Sequence, residues 1–252
     1  MTLRAFVHDL PQSDPPRAGQ AGQPDQERPM GRVIFLCLIG GLGAAMLLSL
    51  GIWQLQRLAW KRDILATIEH RIAADPVALP STPDPEADKY RPVRVTGQYD
   101  PAEIHVLTSV KDLGPGYRII AAFVTETGRR IMVDRGFVKS RDRETRRPLG
   151  QAELIGNLHW PDEVDGYTPA PEIDANIWYA RDVPHMAEVL ATEPLLVVLR
   201  GASDDASAPR VLPVSTRTIA NDHLQYAITW FSLALIWVTM TATFLLRTRA
   251  KT

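Results

Sequence analysis

One cysteine, Cys37, is all that 252 residues contain, and it sits inside an uninterrupted apolar run. That leaves no intrachain disulfide and no cysteine-based metal site, so an oxidising compartment is allowed but not demanded. An excess of charge of either sign is missing too: the formal net charge is -1, with 23% charged residues. Nucleic-acid binding needs a basic face that displaces phosphate counterions, so nucleic acid is set aside as a partner. The histidines, His8, His70, His105, His159, His185 and His223, show no i,i+4 pairing and no metal-ligand spacing. Neither a glycine-rich phosphate loop nor a nucleophile elbow is present. The acidic pairs Asp204-Asp205 and Asp162-Glu163 stand in loop-like surroundings and read as solvated surface. Missing motifs do not exclude an enzyme, but no acid–base pair or redox centre offers itself.

What is there is apolar and long. Val33 to Ile52 and Ala227 to Leu246 carry no Asp, Glu, Lys, Arg or His. Each is about 20 residues, the length a helix rising 1.5 Å per residue needs to cross roughly 30 Å of hydrocarbon. In lipid the backbone must satisfy its own hydrogen bonds, so such a run is helical and the chain reads as a two-span membrane protein. The first run exceeds a signal-peptide core and is followed by Gly51-Ile52-Trp53-Gln54-Leu55-Gln56-Arg57 rather than small-x-small, which makes it an uncleaved anchor. With two spans both termini share one side. Arg247, Arg249 and Lys251 in the tail, with Arg28 and Arg32 before the first span, place that side in the cytoplasm. Arg57, Lys61 and Arg62 argue the other way, but a loop of about 170 residues translocates largely regardless of charge.

Between the spans the pattern is that of a folded domain. Leu55, Leu58, Ile64, Leu65, Ile68 and Ile72 continue the first helix to about Ala74, and Pro76 ends it. From Tyr90 the period changes to two, over Tyr90 to Gly97, Glu103 to Val110, Tyr117 to Thr125 and Arg129 to Asp134. The last two are joined by Glu126-Thr127-Gly128, a hairpin signal. Further strands are expected at Ala152 to Trp160 and Leu195 to Gly201, with a short helix near Pro184 to Thr192. The expected fold is therefore an α+β membrane protein: two transmembrane helices flanking a mostly antiparallel β extramembrane domain with one or two short helices. The divisions read as a disordered tail over 1–30, a first membrane helix over 31–54, a β-rich domain over 55–222, a second membrane helix over 223–246 and a cytoplasmic tail over 247–252. The run Arg141-Asp142-Arg143-Glu144-Thr145-Arg146-Arg147 reads as an exposed loop of mixed charge, or as a contact for headgroups or an acidic partner.

The informative chemistry lies where domain meets membrane. On a helix His223, Tyr226 and Trp230 fall at i, i+3 and i+7, sharing one face that Ala234, Trp237 and Thr241 extend. A neutral imidazole above an apolar-aromatic surface suits an axial ligand for a haem whose propionates reach water. Spacing alone favours the plainer alternative, an interfacial Trp–Tyr belt with a hydrogen-bonded His223. Trp53, Arg57, Trp60 and Lys61 lie on one side of the first helix, and Gly40, Gly41, Ala44 and Ala45 set small residues four apart for close helix approach. Arg57 or Lys61 would pair with propionates, or both would snorkel to headgroups.

Taken in order, the segments Gly51-Ile52-Trp53-Gln54 with Arg57, Trp60 and Lys61, Val95-Thr96-Gly97-Gln98-Tyr99, Gly114-Pro115-Gly116-Tyr117-Arg118, Val133-Asp134-Arg135-Gly136-Phe137, Asn176-Ile177-Trp178-Tyr179 and the stretch around His223 resemble the Surfeit locus protein 1 family. These are haem-copper oxidase assembly factors of bacteria and mitochondria. The resemblance implies a non-enzymatic factor of the bacterial inner membrane, its central domain periplasmic, that transiently binds haem a and helps place it in oxidase subunit I. It implies that His223 is the haem ligand, in a site with Tyr226, Trp230, Trp53, Arg57 and Lys61, and that the partners are subunit I, the haem a synthesis enzyme and membrane lipid. Asp222 stands where the family usually has a second Asn, Phe137 where it has Trp, and Ala122 near a common Pro. The other class open to such a chain is a haem-free scaffold that stabilises an oxidase subunit, with a haem-modifying enzyme a distant third.

Overall fold

The computed structural model describes residues 29–201 and 208–249. The tail expected to be disordered, up to residue 28, lies outside the described residues, as do Asp204-Asp205 and residues 250–252. The described chain forms two compact units, one of residues 29–52 with 227–249, the other Trp53–Tyr226.

The first unit is the upper part of α1 (Pro29–Ala73) with most of α3 (His223–Arg249). Both helices are long and apolar enough to cross a membrane. They pack antiparallel where side chains are absent. A Cβ on Gly40 would stand 2.3 Å from Thr241 Cγ2, one on Gly43 2.5 Å from Trp237 Nε1, and one on Gly51 2.6 Å from the Phe231 ring. The Trp237 indole donates to the Gly40 carbonyl at 3.0 Å, fixing the register. The small residues that matter are thus Gly40, Gly43 and Gly51, spaced by about one helical turn and then about two. Gly41, from the expected set, meets nothing within 4 Å.

In the second unit a ring of strands follows the end of α1. Its members are β2 (Pro92–Val110), β3 (Gly114–Thr125), β4 (Arg130–Lys139), β5 (Gln151–His159) and β6 (Leu196–Leu199), with β1 (Val77–Ala78) at the side of β2. Pairing runs β2–β3–β4–β6–β5 and returns from β5 to β2, closing a five-stranded barrel. The expected mostly antiparallel sheet is in fact mixed. β6 arrives from β5 through α2 (Val183–Leu190), enters antiparallel to β5 and so lies parallel to β4; β1 is parallel to β2 because residues 79–91 loop back between them. The period-two signal cannot report strand direction, which is decided by the long β5–β6 connection.

The two segments read as Tyr90 to Gly97 and Glu103 to Val110 are one strand with a bulge between Tyr99 and Glu103. Pro101 has no N–H to give the ladder, and Asp100 turns the chain there, accepting from Ala102 N at 2.9 Å and from Arg130 at 2.7 Å. A second bulge opposes Ile119/Ile120, where Gly136 takes φ +112 and its N–H is received by Asp134 Oδ1 at 3.0 Å. Only glycine fits there, because a Cβ would meet the Arg210 carbonyl at 2.2 Å.

Alternating residues of all five strands fill the barrel, among them Val93, Val95, Tyr99, Ala121, Phe123, Ile131, Val133, Leu154, Leu158 and Val197. The outer face, with Ile104, Ile120, Met132 and Leu196, is covered by Trp178 and by Val183, Met186, Ala187 and Leu190 of α2. Those four follow i, i+3, i+4, i+7, and α2 is capped by the Asp182 carboxylate and ended by left-handed Ala191.

The C-terminal turn of α1 is tied to the barrel. Asn157, buried on β5, donates to the carbonyls of Ile72 at 3.0 Å and Tyr90 at 2.8 Å, and Arg200 reaches the Ile72 and Ala74 carbonyls. The Ile72 and Ala74 carbonyls lie at the end of α1, where a helix leaves carbonyls without intrahelical partners.

Candidate functional site

From Trp53 onward α1 presents two faces. Gln54 and Leu58 are buried, at 8% and 6% exposure, and Lys61 lies one turn further on the same stripe. This stripe meets the segment that leads into α3. The Lys61 ammonium donates to the Ala220 carbonyl, Thr216 donates to Glu69, and His223 Nδ1 lies 2.8 Å from Gln54 Oε1. A carbonyl oxygen can only accept, so Nδ1 carries a proton in this bond and Nε2 is the ring nitrogen outside it. The Asp222 carbonyl accepts from Tyr226 N at 3.1 Å, starting α3 at the histidine. The side-chain carbonyl of Asn221 is buried with no hydrogen-bond partner beside it.

Trp53, Arg57 and Trp60 form the other, exposed face. The Arg57 guanidinium lies 3.8 Å over the Trp60 ring, which leaves its in-plane N–H donors open, and Arg57 has no ion pair among the described residues. Trp60, 49% exposed, also lines a cavity of about 380 Å³ with Ile64, Ile68 and Tyr90. Tyr226 is likewise exposed. Trp230 follows His223 by two turns on α3 and is half-buried within the helical unit. The structure therefore divides the expected set: Lys61 joins the buried stripe, while Trp53 and Arg57 face outward. Trp237 and Thr241, read as extending the His223 stripe, pack on α1, as His223 does through Gln54. Gln54 was not singled out by its chemistry, although the spacing Gln54, Leu58, Lys61 marks a face of its own.

A single-nitrogen ligand set fits this geometry. Among the described residues no group of three or more His, Cys, Asp or Glu converges to hold a metal ion, so a closed multi-residue ligand set is not what this site offers. The donor set suits a haem: an imidazole nitrogen oriented by a hydrogen bond at its other nitrogen, exposed aromatic faces, and the open donors of Arg57 for carboxylates.

The barrel's charged groups serve its structure. Arg118 and Arg181 converge on buried Asp134, and Arg181 also pairs with Glu163. Burial pushes Glu163 up, but the Arg181 hydrogen bonds and charge outweigh it and hold the carboxyl below its usual range. His159 stacks beside Tyr90 at 5.6 Å; burial first, then Arg181 and Lys89, lowers its pKa to about 4. Arg135 lies 4.0 Å over the buried Tyr99 ring.

Known proteins align with this chain across both units. The SURF1 family profile matches residues 42–235. Surfeit locus protein 1 of Mus musculus is 31% identical over 222 residues, 79% of this chain and 71% of that protein. Its counterpart from Homo sapiens is 32% identical over 210 residues, 74% of this chain and 69% of that one. A SURF1-like protein of Rickettsia felis is 31% identical over 204 residues, 75% and 88%. With the matched region running from the glycines of α1 to the aromatic residues of α3, the chain belongs to the SURF1 family.

Proposed function

We propose that this chain is an assembly factor for a haem-copper terminal oxidase, binding haem a and assisting its insertion into subunit I at the bacterial inner membrane. The observation that carries the reading is the Gln54–His223 hydrogen bond, which engages Nδ1 and so supports Nε2 as the nitrogen that would bind iron. Haem a, when bound, would supply an iron able to take a nitrogen ligand. The chain supplies the rest. Gln54 orients the ring of His223, the Asp222 carbonyl starts α3 under it, and Arg57 offers N–H donors to carboxylates. A lone imidazole suits a carrier, since one ligand bond can be exchanged for the ligands of an acceptor, whereas a closed ligand set would retain the group. In this reading both termini are cytoplasmic, the barrel is periplasmic, and no covalent chemistry is performed.

Deleting the gene in a cell with an aa-type oxidase tests the function. The expected outcome is subunit I present in the membrane but with reduced haem a absorbance, restored by the wild-type chain and not by His223→Ala. Full haem content in the deletion strain contradicts the reading. Restoration by His223→Ala favours a haem-free scaffold.

A further inference from the structure

The run Arg141–Arg147 walls a cavity of about 400 Å³ that the haem reading does not use. Its apolar lining includes Leu113, at the turn between β2 and β3, and Phe137 near the end of β4. Around these stand Lys139, Arg141, Arg147 and Arg210, with Asp142 the one acid among the described residues of the lining. Lys139 and Arg210 have no ion pair among the described residues, and Arg141 has only an exposed contact of 3.6 Å with its neighbour Asp142.

Arg147 distinguishes this cavity from a solvated basic surface. Its side chain is 4% exposed. Nη1 donates to Glu103 and Nη2 to the Arg143 carbonyl at 2.7 Å, while Nε is buried with no partner among the described residues. The network behind it is fully connected: His105 Nε2 lies 2.8 Å from Glu103 Oε1, and His105 Nδ1 accepts from Arg143 Nε at 3.0 Å. Arg147 is thus held in place at the cavity wall by half-buried Glu103 and Arg143, with buried His105 behind them. An unmet N–H on a buried guanidinium, among clustered positive charges, is unfavourable until an anion arrives.

We propose that this cavity receives carboxylate side chains from an acidic segment of a partner protein. The cations come from three separate stretches of chain, 139–141, 147 and 210, and surround an apolar floor. That arrangement suits several carboxylates carried on a chain with apolar atoms between them, and the guanidinium fork matches carboxylate geometry.

Fluorescence anisotropy on the full-length chain in neutral detergent tests it, with a labelled Glu-Ala repeat peptide beside its Gln-Ala counterpart. The Glu peptide binds, the Gln peptide does not, and added salt weakens the complex. The double variant Lys139→Gln/Arg210→Gln binds about tenfold more weakly, the order expected for removing two solvent-screened charges. Among the described residues neither side chain makes a hydrogen bond or ion pair, so the fold is kept. Arg94→Gln, which removes a surface cation paired with Glu153 on the barrel, leaves binding unchanged. No binding by the wild type, equal binding of the Gln peptide, or equal weakening by Arg94→Gln overturns the proposal. So does a double variant that loses binding to phosphatidylglycerol-doped micelles but keeps the peptide, which would assign the cavity to a lipid headgroup.

Discussion

At the scale of single residues, the proton on His223 is decided by Gln54, 169 positions away in the chain. Gln54→Leu keeps the helix and its packing but removes the acceptor, so the imidazole can rotate and change tautomer. Haem affinity should fall about 10- to 100-fold, the usual effect of losing the group that orients a ligating histidine. Optical titration checks this, and an unchanged affinity would mean that the bond does not set the ligand. His159 gives a second prediction. Its folded pKa of about 4 lies below the unfolded value of about 6.5, so the unfolded chain binds the proton first. The stability it contributes is whole above about pH 6.5 and declines as pH falls toward 4, by at most about 3 kcal/mol. His159→Phe should flatten that slope in thermal unfolding while changing stability at pH 7 by less than about 1.5 kcal/mol. An unaltered slope would place the titrating group elsewhere. The position of His223 at the start of α3 was legible in the sequence, and the structure adds its partner Gln54. Gln54 was not, because a glutamine on an amphipathic helix looks like solvated surface until its distant partner is placed.

Secondary elements carry the next level. The contact of α1 with α3 rests on absent side chains, and Gly43→Val puts a branched Cβ 2.5 Å from the Trp237 indole. Overpacking of this kind costs about 1–3 kcal/mol and should break the Trp237–Gly40 hydrogen bond, seen as lower thermal stability and shifted tryptophan emission. Gly41→Val, where nothing lies within 4 Å, is the control and should change neither. Helices, hairpin and most strands were readable because apolar period and turn residues are local signals. The glycine ending the β3–β4 hairpin does take φ +81, as a tight turn requires. What local signals could not carry was the order of strands. The parallel β4–β6 pairing is fixed by where the β5–α2–β6 connection lands, and the bulge that joins two readings into β2 depends on Asp100 finding Arg130 across the sheet.

For the molecule as a whole, one helix serves two units: α1 runs from Pro29 through both, and its last turn is held to the barrel by Asn157 and Arg200. Asn157→Ala leaves two carbonyls without this donor, which should cost about 1–3 kcal/mol. Hydrogen exchange near residues 68–74 should rise; unchanged protection there would show that Asn157 is not the tie. Two apolar helices bracketing a β-rich domain were legible in composition alone. The closed barrel was not, since closure is a property of pairing between strands more than fifty residues apart. The central claim is that His223 holds haem a. The measurement that tests it most directly is an optical spectrum with pigment extraction on detergent-purified protein, wild type beside His223→Ala, from cells making haem a. A single-ligand carrier predicts roughly one haem a per chain in the wild type and little in a variant that still folds. Haem a retained in full by His223→Ala, or absent from both, would contradict it.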